Sequence, residues 1–172
     1  MKRVFLLRHG KSDWQGDFGS DRERPLAPRG RKAAASVGRF LTAVGEVPDR
    51  ILTSPAVRAR HTVELAMESG AWDRRLEVVD DLYGGGVEAV LGALRRQPAP
   101  AESVLVAGHE PTWSMTTSRL IGGGQLIVPT ACLVAVDLQV PSWPDVEEGK
   151  GELRWMLPPR LLKKAGFDAG GP

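Results

Sequence analysis

Three short segments of this sequence carry side chains that can hold and attack a phosphoryl group: Arg8-His9-Gly10, Ser54-Pro55-Ala56-Val57-Arg58 and Gly108-His109-Glu110-Pro111. Each follows a short apolar run, and open parallel sheets bind ligands beyond the carboxyl ends of their strands. Arg8 and Arg58 offer fixed guanidinium donors to phosphate oxygens and stay protonated near neutral pH. A neutral imidazole such as that of His9 can attack phosphorus in line, provided that its far nitrogen donates to a fixed acceptor and leaves the attacking lone pair free. Nearby arginine charges disfavour imidazolium and keep such a nucleophile competent. Gly10 would let the backbone approach a ligand closely.

Each segment also has a plainer reading. A lone histidine after a strand is commonly structural, and Gly108-His109 fits a simple strand-to-helix turn. Arg58 near a helix start is ordinarily a solvated side chain, although its charge there opposes the helix dipole. The common strand-end placement favours one shared site holding both arginines and both histidines. His61, three residues after Arg58 on the same expected helix face, reads as a supporting or surface residue.

The elements that must position these groups alternate. Val4–Leu7, Arg50–Thr53, Leu76–Val79 and Val104–Ala107 read as strands, being short, branched and bounded by polar or glycine positions. Helices are expected at Pro28–Val44, Pro55–Glu68, Val87–Arg96 and Thr112–Ile121, the second with Ser54 as N-cap and Pro55 at its first position. Such alternation implies an α/β fold of three layers, a mostly parallel central sheet with helices on both faces. Ala131–Leu138 and Glu152–Met156 read as two further strands near a sheet edge, joined by an exposed loop. One domain over residues 1–165 is expected, with residues 166–172 a frayed tail.

With 172 residues and 42% hydrophobic content, the chain can bury one sizeable core. Its 23 Lys and Arg nearly balance 21 Asp and Glu, which excludes a strongly basic nucleic-acid binder and a disordered polyelectrolyte. The basic positions between Arg22 and Arg39 read as a solvated helix face, with steering of acidic substrates as the alternative. Cys132, the single cysteine, excludes an internal disulfide and reads as a packed thiol. The three histidines form no local ligand pair, so neither metal nor cofactor is expected. The first apolar run is too short for a signal-peptide core, and none approaches a membrane span, so a cytoplasmic protein is expected.

Val4-Phe5-Leu6-Leu7-Arg8-His9-Gly10 resembles the signature of the histidine phosphatase (phosphoglycerate mutase-like) superfamily. Ser54-Pro55-Ala56-Val57-Arg58-Ala59-Arg60-His61-Thr62 is similar to its second-arginine motif, and Gly108-His109 matches its second histidine. Together with Arg24-Pro25-Leu26 and Gly30, the order and short length most resemble the SixA-type phosphohistidine phosphatases. The resemblance spans about Lys2 to Leu138. It implies a phosphoglycerate mutase-like fold and transient phosphorylation of His9. It further implies that Arg8, Arg58 and His109 bind the phosphoryl group, that water hydrolyses the intermediate, and that no metal takes part.

Longer relatives place a carboxylic acid after the third strand, commonly in a Glu-rich insertion, to protonate the leaving oxygen. Here Asp80-Asp81-Leu82-Tyr83 runs directly into Gly84-Gly85-Gly86. Glu88 and Asp21 are the remaining candidates for this acid, and Asp21 also matches an acidic position of the SixA-like group that could contact substrate. An unassigned acid favours phosphohistidine on a protein, such as a phosphohistidine domain, because its imidazole leaves more readily than an alkoxide. A small phosphate ester is the alternative substrate, and a phosphate-sensing module without turnover is the alternative of another class.

Overall fold

Val4-Phe5-Leu6-Leu7 has no apolar-polar alternation, as a strand covered on both faces requires. In the computed structural model, which describes residues 1–168, this run lies inside β1 (Lys2–Arg8). The chain continues through α1 (Pro28–Ala43), β2 (Arg50–Thr53), α2 (Val57–Gly70), β3 (Leu76–Val78) and α3 (Gly86–Arg95). It ends with β4 (Ser103–Gly108), α4 (Thr112–Leu120), β5 (Leu133–Leu138), β6 (Gly151–Leu157) and α5 (Pro159–Lys164). The strand order is β3-β2-β4-β1-β5-β6. The first four pair in parallel, whereas β5 runs antiparallel to β1 and β6 antiparallel to β5, forming one edge.

The alternating directions of strand side chains build two cores. Val4, Leu6, Leu52 and Val106 face a layer containing Val90 and Leu94 of α3 and Trp113 and Leu120 of α4. Phe5, Leu7, Ile51 and Leu105 face Val37 and Leu41 of α1, Val63 and Ala66 of α2, and Leu162 of α5. The expected three-layer α/β fold is thus the observed one. Buried Cys132 has its thiol pushed up to about 12 by burial, in keeping with a packed side chain. Among the described residues, no helix is long and apolar enough to cross a membrane.

Two local expectations differ from the structure, and one helix was not anticipated. Helix α2 begins at Val57 with Ala56 as its N-cap and no side-chain cap bond; Ser54 Oγ instead accepts from the Ala56 amide at 3.3 Å, before the helix starts. Helix α5 left no clear periodic signal because it is short and buries a single side chain, Leu162. Residues 166–168, expected to fray, are docked: Phe167 packs edge-on against Phe40 at 5.4 Å, and its carbonyl accepts from Arg39 Nη2 at 2.8 Å. One aromatic anchor overrides the Gly/Asp-rich composition there. The rest of that expected tail lies outside the described residues.

Candidate active site

Sheet register brings the three motif segments to one place. Arg8 pairs with Gly108 and Thr53 with Ala107, so the chain leaves β1, β2 and β4 at one level. Ladder-like bonds continue past the strand ends, with the His9 amide donating to Gly108 at 3.0 Å and the Ser54 amide to Ala107 at 2.9 Å. The His9 and His109 ring centroids stand 5.2 Å apart.

The His9 ring is locked from behind. Its Nδ1 lies 2.7 Å from the Gly10 carbonyl oxygen, an acceptor only, so Nδ1 carries the proton and the Nε2 lone pair is left free. Burial, with further contributions from Arg58 and Arg8, lowers the ring to about 4, so it is neutral at physiological pH. Gly10 has a packing role, with its amide donating to Thr62 Oγ1 at 2.9 Å. A Cβ on Gly10 would meet the Gly30 carbonyl oxygen at 2.7 Å, and one on Gly30 would run into the Lys11 carbonyl. The two glycines thus let the chain after β1 lie against the start of α1.

His109 is held by Ser54, whose Oγ shares a 2.7 Å hydrogen bond with its Nε2. Burial first, then His9 and Arg58, lowers His109 to about 3, so this ring is also neutral. Tyr83 stands edge-on to it with centroids 5.6 Å apart.

Buried Arg58 donates through Nη1 to the Asp21 carbonyl oxygen at 2.6 Å and through Nη2 to Asp21 Oδ2 at 3.0 Å. Arg8 donates through Nη1 to the Val128 carbonyl oxygen at 2.8 Å, and burial lowers its pKa from the ordinary arginine value. A third arginine joins them. Arg24, also buried, donates to Ser12 Oγ and, through Nη2, to Asp21 Oδ1 at 2.8 Å, while Trp14 stacks 3.6 Å from its guanidinium carbon. Its charge is felt at both His9 and His109. Arg24 therefore does not belong to the expected solvated face.

The two carboxylates considered for a general acid are both engaged with arginines. Asp21 enters the site, but its carboxylate accepts from Arg24, Arg58 and Tyr83 Oη, the last at 2.9 Å. The Arg24 hydrogen bond above all, reinforced by Tyr83 and Arg58, holds Asp21 well below the usual carboxylate range. It orders two arginines and has no proton to give at neutral pH. Glu88 projects from α3 to Arg119 of α4 at 3.0 Å and remains largely exposed. Glu110 turns onto the first turn of α4, accepting from the Ser114 amide at 3.0 Å and the Ser114 hydroxyl at 2.6 Å. His61 is half-buried on α2, lowered by burial and by Arg31 rather than by the site arginines, as suits a supporting residue.

The sequence motifs brought Arg8, His9, Gly10, Arg58 and His109 together. Arg24, Ser54, Thr62 and Tyr83 are the additional members. Ser54 and Thr62 lay within the quoted second-arginine motif, and Arg24 preceded Pro25-Leu26, so position offered a signal for these three. Tyr83 offered none, since its contact with Asp21 spans 62 positions of sequence.

Comparison with known proteins places these features in context. The family description "Histidine phosphatase superfamily (branch 1)" matches residues 4–84. Phosphohistidine phosphatase SixA of Escherichia coli strain K12 is 30% identical over 168 residues, covering 95% of this chain and 98% of that protein. An uncharacterised protein of Mycobacterium tuberculosis is 34% identical over 164 residues, covering 90% of this chain and all of its own length. A solved structure of protein histidine phosphatase SixA complexed with tungstate has a TM-score of 0.80 at 27% identity, covering 93% of this chain and 99% of that one.

Proposed function

The chain belongs to the histidine phosphatase superfamily, and from that membership we propose that it removes phosphate from phosphohistidine on a protein through a phosphorylated His9. His9 Nε2 attacks phosphorus in line while the P–N bond of the substrate breaks and its electron pair stays on the departing ring, which leaves as neutral imidazole because its far nitrogen already carries a proton. Arg8 and Arg58 follow the charge spread over the phosphoryl oxygens, the contribution that dominates such transfers. Water then attacks the same phosphorus from the vacated side, phosphate leaves, and His9 returns as neutral imidazole. The arginines supply the positive charge that a divalent metal supplies elsewhere, so turnover needs no metal.

The observation that carries this reading is the 2.7 Å bond from His9 Nδ1 to the Gly10 carbonyl, which frees Nε2 at neutral pH. Preference for phosphohistidine is supported by Asp21, which the arginines hold ionised. An alkoxide needs a proton to leave, and imidazole is a far better leaving group. The test is turnover of a phosphohistidine protein beside a panel of alkyl and aryl phosphates, with His9→Ala as blank. Higher kcat/KM on phosphohistidine than on any unactivated alkyl ester is expected. The reverse order would make the protein a small-molecule phosphomonoesterase.

A further inference from the structure

Beside the reaction centre, a groove of about 710 Å³ runs between α1, the turn before β5 and the corner joining β6 to α5. Leu7 pairs with Leu133 and Leu133 with Leu157, so this corner lies at the same end of the sheet as His9. The Ala131 amide donates to the His9 carbonyl at 3.0 Å, making the turn before β5 a shared wall between site and groove. Lys11, two residues beyond His9, belongs to the groove lining.

The groove has an apolar floor and a basic rim. Ala33, Pro129, Ala131, Met156 and Pro158 are buried or half-buried, whereas Lys11, Arg29, Lys32, Arg160 and Lys163 are exposed. Lys163 reaches Asp168 at 3.5 Å. Among the described residues, the other four cations have no ion-pair partner. A small anion is held best by convergent, desolvated donors, as at Arg8 and Arg58. Solvated cations strung along an apolar trough suit a longer ligand with carboxylates at its edges and apolar groups beneath.

We propose that this groove docks an acidic segment of the phosphoprotein substrate, adjacent to its phosphohistidine. The proposal rests on the reading of the substrate as a phosphorylated protein. Exposed ion pairs are individually weak and screened by salt, so the groove acts on encounter and KM rather than on the chemical step.

Two peptides sharing one phosphohistidine test the proposal, one flanked by Glu and Asp, the other by Gln and Asn. Wild-type kcat/KM is expected to favour the acidic peptide on the order of tenfold, mainly through KM and less so as salt rises. Arg29→Glu, Lys32→Glu and Arg160→Glu combined should abolish or invert that preference while leaving an aryl phosphate's kcat/KM unchanged. If charge reversal impaired the aryl phosphate rate, the three Gln substitutions would take its place. Equal wild-type rates on both peptides, or a preference surviving in the triple variant, would overturn the groove's role and leave the phosphohistidine reading intact. If neither peptide turned over while the aryl phosphate did, the substrate reading would fail instead. Fluorescence anisotropy of the unphosphorylated acidic peptide would then decide the groove: binding lost in the triple variant sustains it, whereas absent or unaffected binding rejects it.

Discussion

The ends of β1, β2 and β4 border the reaction centre on one side, and the short segment that follows β3 borders it on another. Beyond β1 and β2, polar groups are tied to backbone carbonyls, His9 to Gly10, Arg8 to Val128 and Arg58 to Asp21, and beyond β4 His109 is tied to the Ser54 hydroxyl. After β3 the chain makes one turn, Asp80–Leu82, and offers Tyr83, whose hydroxyl is committed to Asp21. In the proposed reaction the first region receives the phosphoryl group. The second sets the Tyr83 phenol against the ionised carboxylate of Asp21, which comes from the segment after β1. In that reaction bond making is preorganised, and bond breaking is left to the substrate's own leaving group.

The largest effect should come from the nucleophile itself. His9→Ala is expected to abolish turnover and the acid-sensitive phosphate label seen on rapid mixing, with the circular dichroism spectrum unchanged. Full activity in that variant, with stable label elsewhere, would remove the distinction between the two regions. Arg58→Ala should lower kcat/KM by on the order of 10²-fold or more, the scale of one lost transition-state donor, and weaken vanadate binding in parallel. Asp21→Asn sharpens the comparison. As an orienting carboxylate it should cost on the order of 10- to 100-fold on every substrate, through the disturbed Arg24 and Arg58, because a lost charge-assisted hydrogen bond is worth about 1.5–3 kcal/mol. A loss confined to alkyl esters, with disappearance of one limb of the pH profile, would instead identify Asp21 as an acid.

Smaller effects concern pH. With His9 at about 4 and His109 at about 3, kcat/KM on an aryl phosphate should stay level from neutrality to near pH 5 and fall as pH approaches 4. Stability changes earlier. Both rings bind protons more weakly when folded than when unfolded, where their pKa is about 6.5. Stability is therefore expected to fall as pH drops below that value, by at most about 2 kcal/mol per ring at pH 5. Urea unfolding at pH 7.5 and pH 5 measures the drop, which should be smaller in His9→Ala. Equal drops in both proteins would show that the folded structure does not depress His9. Extensive EDTA treatment should have no effect on turnover, and loss with recovery on adding a stoichiometric metal would contradict the arginine-based account.

The legible part of this molecule is the part with local signals. The doubly covered strand Val4–Leu7, the helical spacing of α1 and the punctuation before His9 and His109 each occupy a few consecutive residues, and sheet register did the rest. The acid could not be resolved the same way. Asp21 looks like any loop carboxylate until the fold sets Arg58 and Tyr83 against it, 37 and 62 positions away. Ser54 followed by Pro55 has the local pattern of a helix cap, but its hydroxyl meets the Ala56 amide and His109 Nε2 instead. The tail misled in the same manner, since a glycine-rich composition carries no information about the aromatic pair Phe40 and Phe167.

The division between a built phosphoryl site and an unassisted leaving group is tested most directly by the dependence of kcat/KM on leaving-group pKa. Aryl and alkyl phosphates spanning a wide range would be compared at one pH near neutrality, with phosphohistidine as a reference. A steep decline with rising leaving-group pKa, with phosphohistidine above every alkyl ester, is the expected result. A flat dependence that becomes steep on Asp21→Asn or Tyr83→Phe would contradict it and place a general acid in the site.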